Sequence, residues 1–211
     1  MSEIIRLPQF MRDAEVRSGS FDEAENTIDV IFTTGSTGRR RTWIDGDFDE
    51  ELVVNDKAVR LGRLNGGAPF LDSHDIFSLR SVLGSVVPGS AKVEKGKGTA
   101  KVKLTRRTEA AGVVQDIRDG VIRNISVGYK THAVEKMDRK GKVPLHRVID
   151  WEPWEISAVP IPFDAGAQIR SAGDLEKQEL YECMVTRSIM DQNEVSRIRM
   201  RLAQATVMMA R

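Results

Sequence analysis

The chain has 211 residues, 32 Lys and Arg against 31 Asp and Glu, and a formal net charge of +1 with histidine neutral. That balance argues against binding nucleic acid through bulk positive potential. One cysteine, Cys183, excludes an internal disulfide framework and any cysteine-based metal site. No run approaches the roughly 20 apolar residues needed to cross a bilayer, and the opening MSEIIRLPQF lacks the apolar centre of a signal peptide. The expectation is a soluble protein, made and used in a reducing cytoplasm.

Up to about residue 168, Gly, Pro, Asn and Asp punctuate short runs rich in Val, Ile and Thr, the pattern of many short strands. Thr27 to Phe32 reads as an early strand, ended by the loop Thr34 to Gly38. The following Arg39-Arg40-Arg41 reads as a solvated turn or as a contact for an acidic partner. Val59 to Leu64 reads as another strand, leading through Asn65-Gly66-Gly67-Ala68-Pro69 into Phe70-Leu71-Asp72-Ser73-His74-Asp75. Ser81 to Val87 and Ala100 to Thr105 flank Lys95-Gly96-Lys97-Gly98, a good hairpin turn. Val113, Val114, Ile117 and Val121 fall at helical spacing, with Gly120 weakening the end of that helix. A short β-prone run, Asn124 to Tyr129, comes next. Tyr129 to Glu135 and Val143 to Ile149 then form a hairpin turning at Asp138-Arg139-Lys140-Gly141, and Trp151 to Pro160 closes the compact part.

Beyond Gly173 there is neither Pro nor Gly, and Met184, Met190, Met200, Met208 and Met209 cluster there. This segment reads as helix, with a soft boundary near Ser171-Ala172-Gly173. Asp191-Gln192-Asn193-Glu194 resembles a capping box, and Val195, Ile198, Leu202, Ala205 and Met209 share one face. Such a helix either packs on its own domain or serves docking and dimerisation. Cys183 within it reads as a passive side chain, since nothing nearby lowers its pKa. The predicted organisation is a domain over 1–170 and a helical tail over 171–211. The fold class is mainly β with helices (α+β): a closed or partly open antiparallel barrel or sandwich, without the βα alternation of a doubly wound sheet.

Phosphate-binding loops, dinucleotide fingerprints, H-E-x-x-H and the G-x-S-x-G elbow are all absent. His74, His132 and His146 are the three histidines, and one of them is the natural base for acid–base chemistry near neutral pH. His74 stands out in its polar cluster; taken alone, it is also an ordinary turn histidine with Asp75 capping a loop. His132 and His146 lie on opposite arms of the expected hairpin, as an exposed cross-strand pair would. Ser126 is unremarkable alone, but a serine on a rigid strand beside small Gly128 meets the geometric demand of attack on a carbonyl.

In combination, four blocks occur in order: Leu71-Asp72-Ser73-His74-Asp75, Val82-Leu83-Gly84-Ser85-Val86, Gly120 through Ser126 to Tyr129, and Trp154-Glu155-Ile156-Ser157-Ala158-Val159-Pro160-Ile161-Pro162. Over residues 12–168 this resembles the prohead (capsid-maturation) protease family of tailed bacteriophages and prophages, similar in fold to the herpesvirus assemblins. The resemblance implies a serine endopeptidase with His74 as general base and Ser126 as nucleophile. It implies an acidic residue orienting the histidine, which falls on Glu155. The assemblins use a second histidine instead, which makes His146 the competing candidate, and Asp75 is disfavoured by its closeness in sequence to His74. Oxyanion donors stay open among backbone N–H groups near Ser126 or Ser157 and the side chains of Arg123 and Arg147.

The resemblance further implies the scaffold, the major capsid protein and the protease itself as substrates, and a possible homodimer. No cofactor, metal, membrane or direct nucleic-acid role is expected. Cleavage would occur in the host cytoplasm, inside the assembling prohead, where confinement raises effective concentration. A histidine base predicts activity rising with pH through about 6 to 7. Two other classes fit the residues less well: a non-catalytic assembly or scaffolding protein on the same fold, and an esterase on another barrel.

Overall fold

The computed structural model describes residues 2–7, 10–16, 20–42, 45–160 and 181–187. Alternation of period two places most of the strands. In β3 (Thr27–Thr33), Ile28, Val30 and Phe32 point into the core. In β9 (Lys97–Leu104), Ala100, Val102 and Leu104 do the same while Lys101 and Lys103 face outward. Burying each of the large side chains contributes about 1.5–3 kcal/mol. A hairpin turn forms here but is tighter than expected: Lys95 and Gly96, both at positive φ, make it alone, and Lys97 and Gly98 belong to β9. The preceding arm is β8 (Lys92–Glu94), whose Glu94 pairs with Lys97, rather than Ser81 to Val87. That is the hairpin geometry matched to strand twist.

Two long strands organise the molecule. β10 (Asn124–Met137) and β11 (Leu145–Ala158) pair antiparallel from Ile125↔Ala158 to Met137↔Leu145. The separate β-prone runs of the sequence are therefore halves of one continuous hairpin. β10 also pairs with β2 (Phe10–Val16) at one end and, in parallel, with β12 (Tyr181–Arg187) at the other. β11 pairs in parallel with β5 (Gly46–Leu52) and with β6 (Pro69–Asp72). From β10 the pairings lead through β2, β3, β9, β7 (Val82–Val86) and β6 to β11. The strand order ends at β1 (Ser2–Leu7) and β4 (Gly38–Thr42), so the sheet as a whole is open. It is mainly antiparallel, as expected, with three parallel pairings that bring β5, β6 and β12 against the long hairpin.

Other expectations change as well. Val59 makes only an isolated bridge to Trp151, and the chain then turns into the short helix α1 (Gly62–Asn65), which buries Leu64. Arg39, Arg40 and Arg41 lie on β4 and pair with Asp49, Glu50 and Asp47 of β5, so this basic run meets acids of its own chain. The helix expected near Val113 is α2 (Ala111–Arg118), burying Val114 and Ile117, but Val121 lies past its end and is 72% exposed. Gly120, at φ +73°, ends α2: its N–H bonds to the Ile117 carbonyl and that of Val121 to the Asp116 carbonyl, a Schellman cap.

Tyr181–Arg187, expected to be helical, is strand β12, with Cys183 and Val185 buried and Glu182 and Met184 exposed. Burial on one face of a sheet overrides the helix-like composition here. The boundary near Ser171, the capping box at Asp191 and the apolar positions from Val195 to Met209 lie outside the described residues.

Candidate active site

The parallel register of β6 with β11 decides where His74 goes. Ile156↔Phe70, Ser157↔Leu71 and Ala158↔Asp72 bring the end of β6 alongside the end of β11. Ser73 N–H then donates to the Ala158 carbonyl at 2.9 Å, and the chain reverses through a turn closed by Asp75 N–H to the Asp72 carbonyl, 2.9 Å. Both central residues of that turn are non-glycine with positive φ, Ser73 at +48° and His74 at +61°. Each such conformation costs on the order of 1–3 kcal/mol and persists only when its surroundings enforce it.

Those surroundings are supplied by β11. The His74 backbone N–H donates to Ser157 Oγ at 3.2 Å, and the imidazole Nδ1 lies 2.7 Å from Glu155 Oε1. Ser157 Oγ donates in turn to Glu155 Oε2 at 2.5 Å. Glu155 and Ser157 are two residues apart, so they share the strand face opposite Ile156 and Ala158. The Glu155 carboxylate is 1% exposed, with one hydrogen-bond partner on each oxygen. An ionised carboxylate only accepts, so Nδ1 is the donor of this pair, which in a neutral imidazole leaves the lone pair on Nε2.

Ser126 lies directly across the ladder from Ser157, and Gly128 across from Glu155. Residues opposite each other in an antiparallel pair project to the same face with Cβ atoms about 4.5–5.5 Å apart. Ser126 therefore shares a face with Glu155 and Ser157, and Gly128 adds no side chain opposite the carboxylate. A register shift follows at once, between Gly128 and Tyr129, where β11 carries Trp154 as an extra residue. Bulges of this kind re-aim side chains next to sites. Ser126 is 3% exposed, and no hydrogen bond joins its hydroxyl to the imidazole of His74 among the described residues.

The other candidates separate from this cluster. His146 is nine residues down β11 from Glu155, about 25–30 Å along the strand. There it stacks on Phe48 at 3.9 Å between ring centroids, and burial, with Lys136 nearby, holds its pKa below the ordinary histidine value. It pairs across the ladder with Lys136, whereas His132 sits at a register shift; the expected exposed histidine pair does not form. Asp75 accepts from Phe77 N–H at 3.0 Å and from the Ser81 hydroxyl, so its carboxylate shapes the loop beyond His74. Arg107 holds the far side of that loop through the carbonyls of Leu79 and Arg80 at 2.9 and 3.1 Å. Arg147 is at the distant end of the hairpin with Glu51 and Glu135, and Arg123 is exposed ahead of β10.

The family described as caudovirus prohead serine protease matches residues 50–181, more than half of the chain. The chain belongs to this family. The matched region contains His74, Ser126, Glu155 and Ser157 together with both long strands. The chain is also 30% identical over 145 residues to the major capsid protein of Halomonas phage phiHAP-1, covering 69% of this chain and 23% of that protein. It thus spans about a quarter of the length of that relative. No solved structure matches the chain. No metal-binding cluster of His, Cys, Asp or Glu occurs among the described residues, and no described helix is long and apolar enough to cross a membrane.

The Ser157 side chain is not singled out by any motif role in the sequence. Its signal was present in the i, i+2 spacing of Glu155 and Ser157, which on any strand puts both on one face.

Proposed function

We propose that this protein is a serine endopeptidase in which Ser126 is the nucleophile, His74 the general base and Glu155 the residue that orients the histidine. The observation carrying this reading is the 2.7 Å contact between His74 Nδ1 and Glu155 Oε1. It leaves Nε2 free to take a proton, on the sheet face that also bears Ser126. A serine hydroxyl is a poor nucleophile until a base removes its proton during attack. His74 takes that proton and returns it to the leaving amine, while Glu155 stabilises the imidazolium between the two steps. Catalytic hydrogen bonds often tighten only when substrate binds, so an unbonded Ser126 hydroxyl is compatible with this role.

The wall of strands running from β10 through β2, β3, β9, β7 and β6 to β11 is read as a barrel-like support for the site. The proposed substrates are the major capsid protein, the scaffold and the chain itself, cleaved within the assembling prohead. The capsid-protein name of the phage relative, which this chain matches over part of its length, supports that choice.

Labelling with a fluorophosphonate probe, followed by peptide mapping, tests the reading. The label is expected on Ser126, and Ser126→Ala and His74→Ala are expected to abolish both labelling and self-cleavage while remaining folded. Persistent cleavage by folded Ser126→Ala would remove the nucleophile assignment. Absence of labelling even in assembled shells would favour a non-catalytic assembly protein.

A further inference from the structure

We infer that Ser157 is a positioning residue of this site, holding the orienting carboxylate and the backbone of the base at once. The inference rests on the endopeptidase reading above and adds a residue that the reading does not use. Ser157 is fully buried, and its one hydroxyl makes two bonds of different kinds: it donates to Glu155 Oε2 at 2.5 Å and accepts from His74 N–H at 3.2 Å. A glutamate bonded to histidine through one oxygen is free to rotate about its terminal torsion, which is broad. The second bond, to Oε2, removes that freedom and keeps Oε1 on Nδ1.

The bond to the His74 backbone has a separate purpose. His74 is in a left-handed conformation that a non-glycine residue leaves readily unless held. Ser73 N–H to Ala158 fixes the chain before it, Asp75 N–H to Asp72 fixes it after, and Ser157 fixes His74 itself. A chain relaxed to negative φ would swing the imidazole away from β11. Because Ser157 also faces Ser126 across the ladder, one side chain sets base and orienter against the strand that carries the nucleophile. A nucleophile role for Ser157 itself fits poorly: its proton is already directed at the Glu155 carboxylate rather than at a histidine nitrogen.

The test uses the full chain with Ser157→Ala and Ser157→Thr, each checked for folding by its melting transition. Two readouts are followed: the first-order rate and the half-saturation concentration of fluorophosphonate labelling, and the low-field proton NMR resonance of the Nδ1–H between His74 and Glu155. Ser157→Ala is expected to slow the labelling rate by about tenfold to a hundredfold, the worth of one hydrogen bond to a charged group. Half-saturation should stay unchanged and the low-field resonance should shift or broaden. Ser157→Thr, which keeps the hydroxyl, is expected to restore the resonance. A folded Ser157→Ala with the wild-type rate, or with a slower rate and an unmoved resonance, would overturn the inference. Failure of the underlying reading looks different: cleavage by Ser126→Ala would remove the nucleophile, whereas the resonance would still report what Ser157 does to the histidine.

Discussion

Ser126 and Ser157 stand opposite each other across the β10–β11 ladder, yet only Ser157 is hydrogen-bonded to the Glu155 and His74 pair. The two serines thus divide their tasks, one tied into the support of the imidazole and the other unbonded to it. This arrangement depends on a parallel contact, β6 against β11, that brings residue 74 to the face where residues 126, 155 and 157 already meet.

The third catalytic position proposed for Glu155 is tested by substitution. Glu155→Gln keeps the shape but replaces one carboxylate oxygen with an amide, and the proposal predicts a loss in turnover on the order of a thousandfold or more. His146→Phe, far down the strand and stacked on Phe48, is expected to retain turnover within a few-fold. Self-cleavage followed by gel or mass spectrometry measures both; the reverse order of effects would reassign the orienter to His146.

Stability should fall as the medium becomes acidic, for a reason located at His146. Burial and then Lys136 lower its pKa in the folded state, so the unfolded chain takes up protons first, below the ordinary value of about 6.5. The favourable contribution is complete above about 6.5 and is lost as pH drops through the lower folded value. His132, lowered first by burial and then by Arg60, adds to the same trend. Urea midpoints for the wild type should decline from pH 7.5 to pH 5, and His146→Phe should show a smaller decline. An equal slope for both proteins would locate the acid sensitivity elsewhere.

Three glycines predict opposite outcomes for the same substitution. A Cβ at Gly84 would lie 2.3 Å from the Lys103 carbonyl oxygen, and one at Gly98 would lie 2.4 Å from the Phe32 ring. Gly84→Ala and Gly98→Ala are each expected to cost about 1–3 kcal/mol through overpacking. Gly112, exposed in α2 with nothing within 4 Å of an added Cβ, should instead gain roughly 0.5–1 kcal/mol on conversion to Ala. Thermal or urea denaturation of the three variants checks the sign as well as the size.

Cys183 tests the placement of β12. The side chain is fully buried, and burial pushes its thiol up to about 11. Native protein at pH 8 should resist iodoacetamide for hours, with full alkylation once urea unfolds it. Fast alkylation of the native chain would mean that β12 does not cover this thiol.

Much of the fold was legible in local patterning. Alternation placed β3 and β9, Lys95-Gly96 fell at a turn, and the spacing of Val113, Val114 and Ile117 placed α2, because strand pleat, turn handedness and helix periodicity each act over a few residues. The same local reasoning failed for Val59 to Leu64, where α1 and a single bridge replace a strand, and for Tyr181 to Arg187, where pairing with β1 and β10 overrode helical composition.

The sequence by itself determined which residue types are available for chemistry, one imidazole in a turn, one serine beside a glycine and one acid two residues before a second serine. It also determined the strand faces on which most of them lie, since side-chain direction in a strand follows from parity alone. Only the tertiary structure decided that Glu155 rather than His146 meets His74, and that Ser157 holds both. Those choices depend on the parallel register of β6 with β11, a contact between segments more than 80 residues apart whose closure no local propensity encodes.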